Sequence, residues 1–408
     1  MKKRYKLLIV IVLLIIIGII ALKVLTSPNT ALNKNGFGIA VKVKPANWKI
    51  KKLNKLPNPN SNPDGNLDID LRSSDLSNIN MTGKENDLLK YSFDSKTKWP
   101  QNISSNFSTE KIMSLGKNPG LGIKNLHSSG INGKGVSIAI IDQRLLVNHT
   151  EYKDRIKSYE EIHCAPETSM HGAAVASIAV GKTTGVAPKS DLYYIGQNPM
   201  NLSGSSKIDF NYTAQAINRI IEINKKLPKD KKIRVISISI GWDPREKGYN
   251  EVTKAVNNAK KENIFVVSSS LKDTYGFKFT GLGRNPLSNP DIPSSYTPGL
   301  FWTKDYYKEN FDSNNTLLIP MDSRCTASPT GYNDYVFYRE GGWSWSIPYI
   351  AGVYALACEV KPNITPDEFW ESALKTGDTI ELKNNNKLYK LGKIINPSKL
   401  IGDLRSNS

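Results

Sequence analysis

The chain has 408 residues and carries 55 Lys and Arg against 37 Asp and Glu, for a formal charge of +18; 39% of it is apolar. Its three cysteines, Cys164, Cys325 and Cys358, are an odd number and imply no disulfide framework. The charge comes with no nucleic-acid recognition motif, which argues against a nucleic-acid partner.

In chain order, Met1-Lys2-Lys3-Arg4-Tyr5-Lys6 is basic, and Leu7 to Leu22 is apolar apart from Gly18. Val24 and Leu25 extend the run to about the 20 residues a bilayer needs. Residues 1–26 are therefore expected to be a basic tip and a transmembrane signal anchor, with the basic end cytoplasmic and the rest of the chain outside. A cleaved secretory signal is the competing reading, but its apolar region is usually about 7–15 residues long, and no small-x-small cleavage site stands out before Pro28.

Residues 27–100 are rich in Asn, Ser, Pro and Lys and read as a flexible tether. Gly38 to Val43 is their one strand-like run. Lys42, Lys44, Lys49, Lys51, Lys52 and Lys55 cluster there, which suggests attraction to anionic lipid or a cell-wall polymer, or simply a solvated basic linker.

Residues 101–408 supply the core. Val136-Ser137-Ile138-Ala139-Ile140-Ile141 reads as a buried parallel strand ending at Asp142, where open α/β sheets place functional groups. Met170-His171-Gly172-Ala173 begins a small-residue helix that Gly181 would stop. Of the four histidines, His171 alone has such a context, although it also suits a capping or core role. His163-Cys164 has the look of a metal pair, but no second ligand pair at a familiar spacing supports it. Helical spacing over Thr213–Ile223 and Asn250–Lys261 alternates with strands at Val235 and Ile264. That alternation predicts an α/β fold with a doubly wound, mostly parallel sheet. Asp273 to Asn315 lacks periodicity and reads as loops. Gly341-Gly342-Trp343-Ser344-Trp345-Ser346-Ile347-Pro348 then leads into the apolar run Tyr349–Ala357. A serine at such a helix opening suits a nucleophile, although Gly/Ser turns before helices are common. Asp142, His171 and Ser344 follow one of the known chain orders of an acyl-transfer triad.

With these residues in place, the chain resembles the subtilisin-like serine proteases over roughly residues 110–400. The resemblance rests on Gly133-Lys134-Gly135-Val136 leading to Asp142, on His149-Thr150-Glu151-Tyr152, and on Gly185-Val186-Ala187-Pro188. It continues through Arg234 to Gly241 and ends at Gly342-x-Ser344-x-Ser346-x-Pro348, with Trp343 where threonine is usual. The resemblance implies a serine endopeptidase acting through Asp142, His171 and Ser344, with Ser239, Ile240 and Gly241 pairing with the substrate backbone. It also implies a protein or peptide substrate, and an inhibitory propeptide often stands where residues 27–100 lie. Calcium is common in the family, but no dense run of Asp or Asn ligands identifies a site here, and no other cofactor is implied.

Two departures matter. Gln143-Arg144 follow Asp142 where a small hydroxyl residue and glycine are usual; Arg144 would lower the carboxylate's pKa, draw it away from His171, or simply point to solvent. The asparagine expected after Val266-Val267-Ser268-Ser269 to stabilise the oxyanion is absent. Lys272 occupies its slot by count, so Lys272 or Ser270 would have to donate instead, beside the Ser344 amide. Losing one such donor typically costs roughly 100- to 1000-fold in rate. The departures motivate an alternative in which the fold is kept as a catalytically weak or inactive binding module.

Overall fold

The computed structural model describes residues 30–32, 38–40, 43–58, 69–101, 103, 107–200, 207–308, 311 and 314–406. The expected membrane anchor falls on residues outside these. Among the described residues no helix is long and apolar enough to cross a membrane.

A five-stranded sheet forms the centre. Its strands are β1 (Ser137–Asp142), β2 (Ile156–Ile162), β3 (Asp191–Gln197), β4 (Ile233–Ile238) and β5 (Phe265–Ser268). They lie in the order β5-β4-β1-β3-β2, and every neighbour is parallel. The alternation of side chains explains the two-sided burial. Ile138, Ile140, Val235 and Val267 point into one core with helices α1 (Met170–Val180) and α4 (Trp343–Val360). Ala139, Ile141, Ile236 and Val266 point into a second core, under α2 (Asn211–Lys226) and α3 (Tyr249–Lys261). Strands apolar on both faces are what a sheet covered by helices on both sides requires. The doubly wound α/β expectation therefore holds, with helix and strand limits within a few residues of those read from periodicity.

Two expectations need correction. The aperiodic stretch after Asp273 is not all loop: Lys278–Arg284 is a strand, almost wholly buried, in a second five-stranded sheet. It pairs in parallel with Thr316–Pro320 and antiparallel with Tyr296–Pro298. Burial on both faces leaves no alternating pattern to read. The tether also ends earlier than expected. Ile69–Asp70 and Tyr91–Asp94 join Arg324–Ala327 and Tyr335–Tyr338 in a four-stranded sheet. Leu71, Leu76, Leu88, Tyr91 and Phe93 bury themselves there against Ile112 and Phe337. Residues 43–58 are tied down too, through Ala46 N–H to Pro329 O at 2.8 Å and Tyr91 Oη to Pro57 O at 2.6 Å.

Candidate active site

β1 delivers Asp142 to the carboxyl edge of the sheet, 7% exposed. The Gln143 amide donates to its Oδ1 at 2.8 Å. α1 opens at the same edge, where Ser169 caps the helix by accepting from the His171 amide at 3.0 Å. The first turn packs hard on the strand end because residue 172 is glycine. A Cβ there would lie 2.5 Å from both the Gln143 carbonyl and the Tyr194 hydroxyl. That close approach sets the His171 imidazole over Asp142, and Nδ1 meets Oδ1 at 2.7 Å. Nδ1 is then the donor, which leaves Nε2 as the free acceptor.

The imidazole feels two opposed effects. Burial disfavours its charged form, but the charge and hydrogen bond of Asp142 outweigh burial, so its pKa ends above the usual 6.5. Arg144 does not disturb the pair: its guanidinium turns to Glu161, with Nε 2.8 Å from Oε1, and also donates to the Pro166 carbonyl. Trp345 packs on the imidazole with ring centroids 5.4 Å apart and is itself held by Tyr338 at 5.2 Å.

Ser344 lies in the first turn of α4, partly buried. Pro348 sits one turn further on and has no N–H to offer the Ser344 carbonyl. Ser239, just beyond β4, fills that gap by donating Oγ to the carbonyl at 3.1 Å. In return the Ser344 hydroxyl donates to the Ser239 carbonyl at 3.3 Å, and not to His171. Hydrogen bonds of this kind are often misaligned in unliganded sites and tighten only when substrate arrives. The Gly342 backbone is extended, and a Cβ there would meet only the Ser344 amide nitrogen, at 3.8 Å. The close fit falls on Gly341, whose added Cβ would lie 2.5 Å from the Met321 carbonyl.

Neither expected oxyanion donor is hydrogen-bonded to the serine. The Ser270 hydroxyl, 5% exposed, is engaged with Trp242, accepting from its amide at 2.8 Å and donating to its carbonyl at 3.2 Å. Lys272 is exposed and lines a cavity with Lys134, Ile233 and Ile264, residues at the amino-terminal edge of the sheet, opposite Asp142. Ser239, Ile240 and Gly241 follow β4 beside Ser344. The Ile240 carbonyl is taken by the Ser269 amide at 3.2 Å, and Gly241 packs against Ser269 and Ser270. Among the described residues no group of three or more His, Cys, Asp or Glu is placed to hold a metal. His163 stacks on Tyr212, with centroids 3.8 Å apart. Burial raises the Cys164 thiol to about 12.

Sequence reasoning missed Ser239 as the partner of Ser344, and Trp345 as the cover of His171. A readable signal existed for the first, since a proline four residues after Ser344 leaves that carbonyl in need of a donor.

The subtilase family model matches residues 133–300. Over 305 residues the chain is 24% identical to serine protease AprX of Bacillus subtilis (strain 168), a match covering 65% of this chain and 66% of AprX. Over residues 133–300 the chain is similar to the subtilases. The chain is also 22% identical to the subtilisin-like protease PopC of Myxococcus xanthus, over 66% of its own length and 60% of PopC. It thus spans about two thirds or less of the relatives it matches. The solved protease PagA, a prenylagaramide maturation protease, aligns with 69% of this chain and 98% of its own, at 17% identity and a TM-score of 0.46.

Proposed function

We propose that this protein is a membrane-anchored, extracytoplasmic serine endopeptidase of the subtilisin-like kind. The observation that carries the chemistry is the Asp142–His171 hydrogen bond at the sheet edge, beside a serine in the first turn of a helix. In this reading the Ser344 hydroxyl leaves the Ser239 carbonyl and turns to His171 Nε2, which takes its proton as the oxygen attacks the peptide carbonyl. Asp142 holds the tautomer and stabilises the imidazolium. The proton passes to the departing amine, and water then releases the acyl group by the same route in reverse. The Ser344 amide, a helix-terminal donor with no partner inside the helix, faces the developing oxyanion. Ser239 to Gly241 supply backbone for the substrate to pair with. The anchor reading rests on the apolar run of residues 7–22. Lys44, Lys49, Lys51, Lys52 and Lys55 are exposed and suit an anionic membrane or wall surface.

Fluorophosphonate labelling of the full chain tests the chemistry. Covalent labelling that disappears in Ser344→Ala is expected; no labelling, under conditions that label a control hydrolase, overturns the enzyme in favour of a binding module. Removing residues 1–26 is expected to release the protein from membranes, and persistent membrane association overturns the anchor.

A further inference from the structure

His171 stands in the first turn of α1, and the chain that delivers it has no secondary structure of its own. Residues 163–168 form no helix or strand between β2 and the cap residue Ser169. The first amides of a helix have no partner inside it, so an end of this kind frays unless its cap is fixed from outside. Ser169 accepts the His171 amide on Oγ at 3.0 Å. A hydroxyl that accepts one hydrogen bond still has its own proton to place, and the group that takes the proton sets the direction of the oxygen.

That group is Gln143. The Ser169 hydroxyl donates to the Gln143 side-chain oxygen Oε1, and the Ser169 amide donates to the Arg144 carbonyl at 2.9 Å. The two residues after Asp142 therefore grip the cap residue at both its amide and its hydroxyl. Gln143 is itself fixed at the main chain. Its amide donates to Asp142 Oδ1 at 2.8 Å, and its carbonyl accepts the Tyr194 hydroxyl from β3. Arg144 extends the grip along the incoming segment through Glu161 and the Pro166 carbonyl. The bond from His171 Nδ1 to Asp142 Oδ1 at 2.7 Å closes a ring that runs from Asp142 through Gln143, Ser169 and His171 back to Asp142.

A small hydroxyl residue is usual at position 143 in subtilisin-like proteases. Glutamine carries its acceptor two carbons further from the backbone than serine or threonine does, and here that reach meets Ser169. We propose that Gln143 is a positioning residue of the acyl-transfer reaction, acting through Ser169 to hold the His171 imidazole on Asp142. This rests on the reading of His171 as the base for Ser344. Misplacing a reacting group by about 1 Å can cost roughly 100-fold in rate, so an anchor of this kind bears on turnover and not on substrate affinity.

The test compares Gln143→Met, which keeps the length and loses the acceptor, with Ser169→Ala and the double variant, all in the full chain. In peptide hydrolysis Gln143→Met is expected to lower kcat roughly ten- to hundredfold with little change in KM. Residues that act through one bond are not additive, so the double variant is expected to be no slower than the slower single variant. In NMR spectra the His171 Nδ1–H proton, far downfield while its bond to Asp142 is held, is expected to broaden or disappear in Gln143→Met. A lowered melting temperature with kcat and this signal unchanged overturns the positioning role, as do losses that multiply in the double variant. Should Gln143→Met not fold, Gln143→Asn, whose acceptor stops one carbon short, replaces it with the same outcomes expected. Fluorophosphonate labelling run in parallel separates these results from failure of the nucleophile. Should that reagent not react with the unaltered protein, the Nδ1–H signal decides alone: its loss in Gln143→Met supports the anchor, and its persistence overturns it.

Discussion

His171 is held between burial, which favours the neutral ring, and Asp142, which favours the charged one, and the carboxylate prevails. The sign of the pH dependence follows. A folded pKa above 6.5 means that protonated His171 adds stability that is fully present below 6.5 and lost as pH rises through the folded value. In the proposed mechanism catalysis needs the opposite state, because only the neutral ring can accept the serine proton. The rate of peptide hydrolysis is therefore expected to rise with pH through an apparent pKa above 6.5, read from a kcat/KM profile. Asp142→Asn removes the charge that raises the pKa and the acceptor that fixes the tautomer. It is expected to lower kcat by about 10⁴ and to move the His171 titration, followed by NMR, to lower pH.

Among the elements, the opening of α4 depends on a bond outside the helix. Pro348 orphans the Ser344 carbonyl, and the Ser239 hydroxyl supplies the donor. Ser239→Ala is expected to cost about 1 kcal/mol, the net worth of a typical hydrogen bond. In a Pro348→Ala background the helix recovers its own N–H, so the same change is expected to cost less. A double-mutant cycle by denaturant unfolding reads the difference. Equal costs in both backgrounds would detach Ser239 from the proline. The same bond explains why Ser239 escaped a reading by motif: its partner stands 105 residues away, and only the close approach of β4 to α4 joins them. β1 and α1, by contrast, were plain in the sequence, since Ile138 to Ile141 and Ala173 to Ala179 are continuous apolar or small-residue runs.

At the scale of the whole molecule, the N-terminal third is partly structural. Leu71, Leu76, Leu88, Tyr91 and Phe93 cover Phe337 and Ile112, so a fragment starting at residue 101 would leave that apolar face in water. Deletion of residues 1–42 is expected to leave thermal stability nearly unchanged. Deletion of residues 1–101 is expected to lower the melting temperature by several degrees or give aggregated protein, measured by thermal unfolding and size-exclusion chromatography. Equal stability of the two truncations would remove residues 69–101 from the folded core. Their polar, proline-bearing composition hid this role, because six buried apolar side chains spread over the 23 residues from Leu71 to Phe93 form no periodic stripe.

What the sequence determined by itself was the parallel sheet, its helices and the candidacy of Asp142, His171 and Ser344. Local runs of apolar and small residues dictate elements, and short motifs mark their ends. What only the tertiary structure decided was which side chains meet. It turned Arg144 to Glu161, Ser270 to Trp242 and Lys272 to the far edge of the sheet, and it joined Gln143 to Ser169. Those outcomes depend on the distance and burial of residues far apart in the chain, and a linear pattern carries neither.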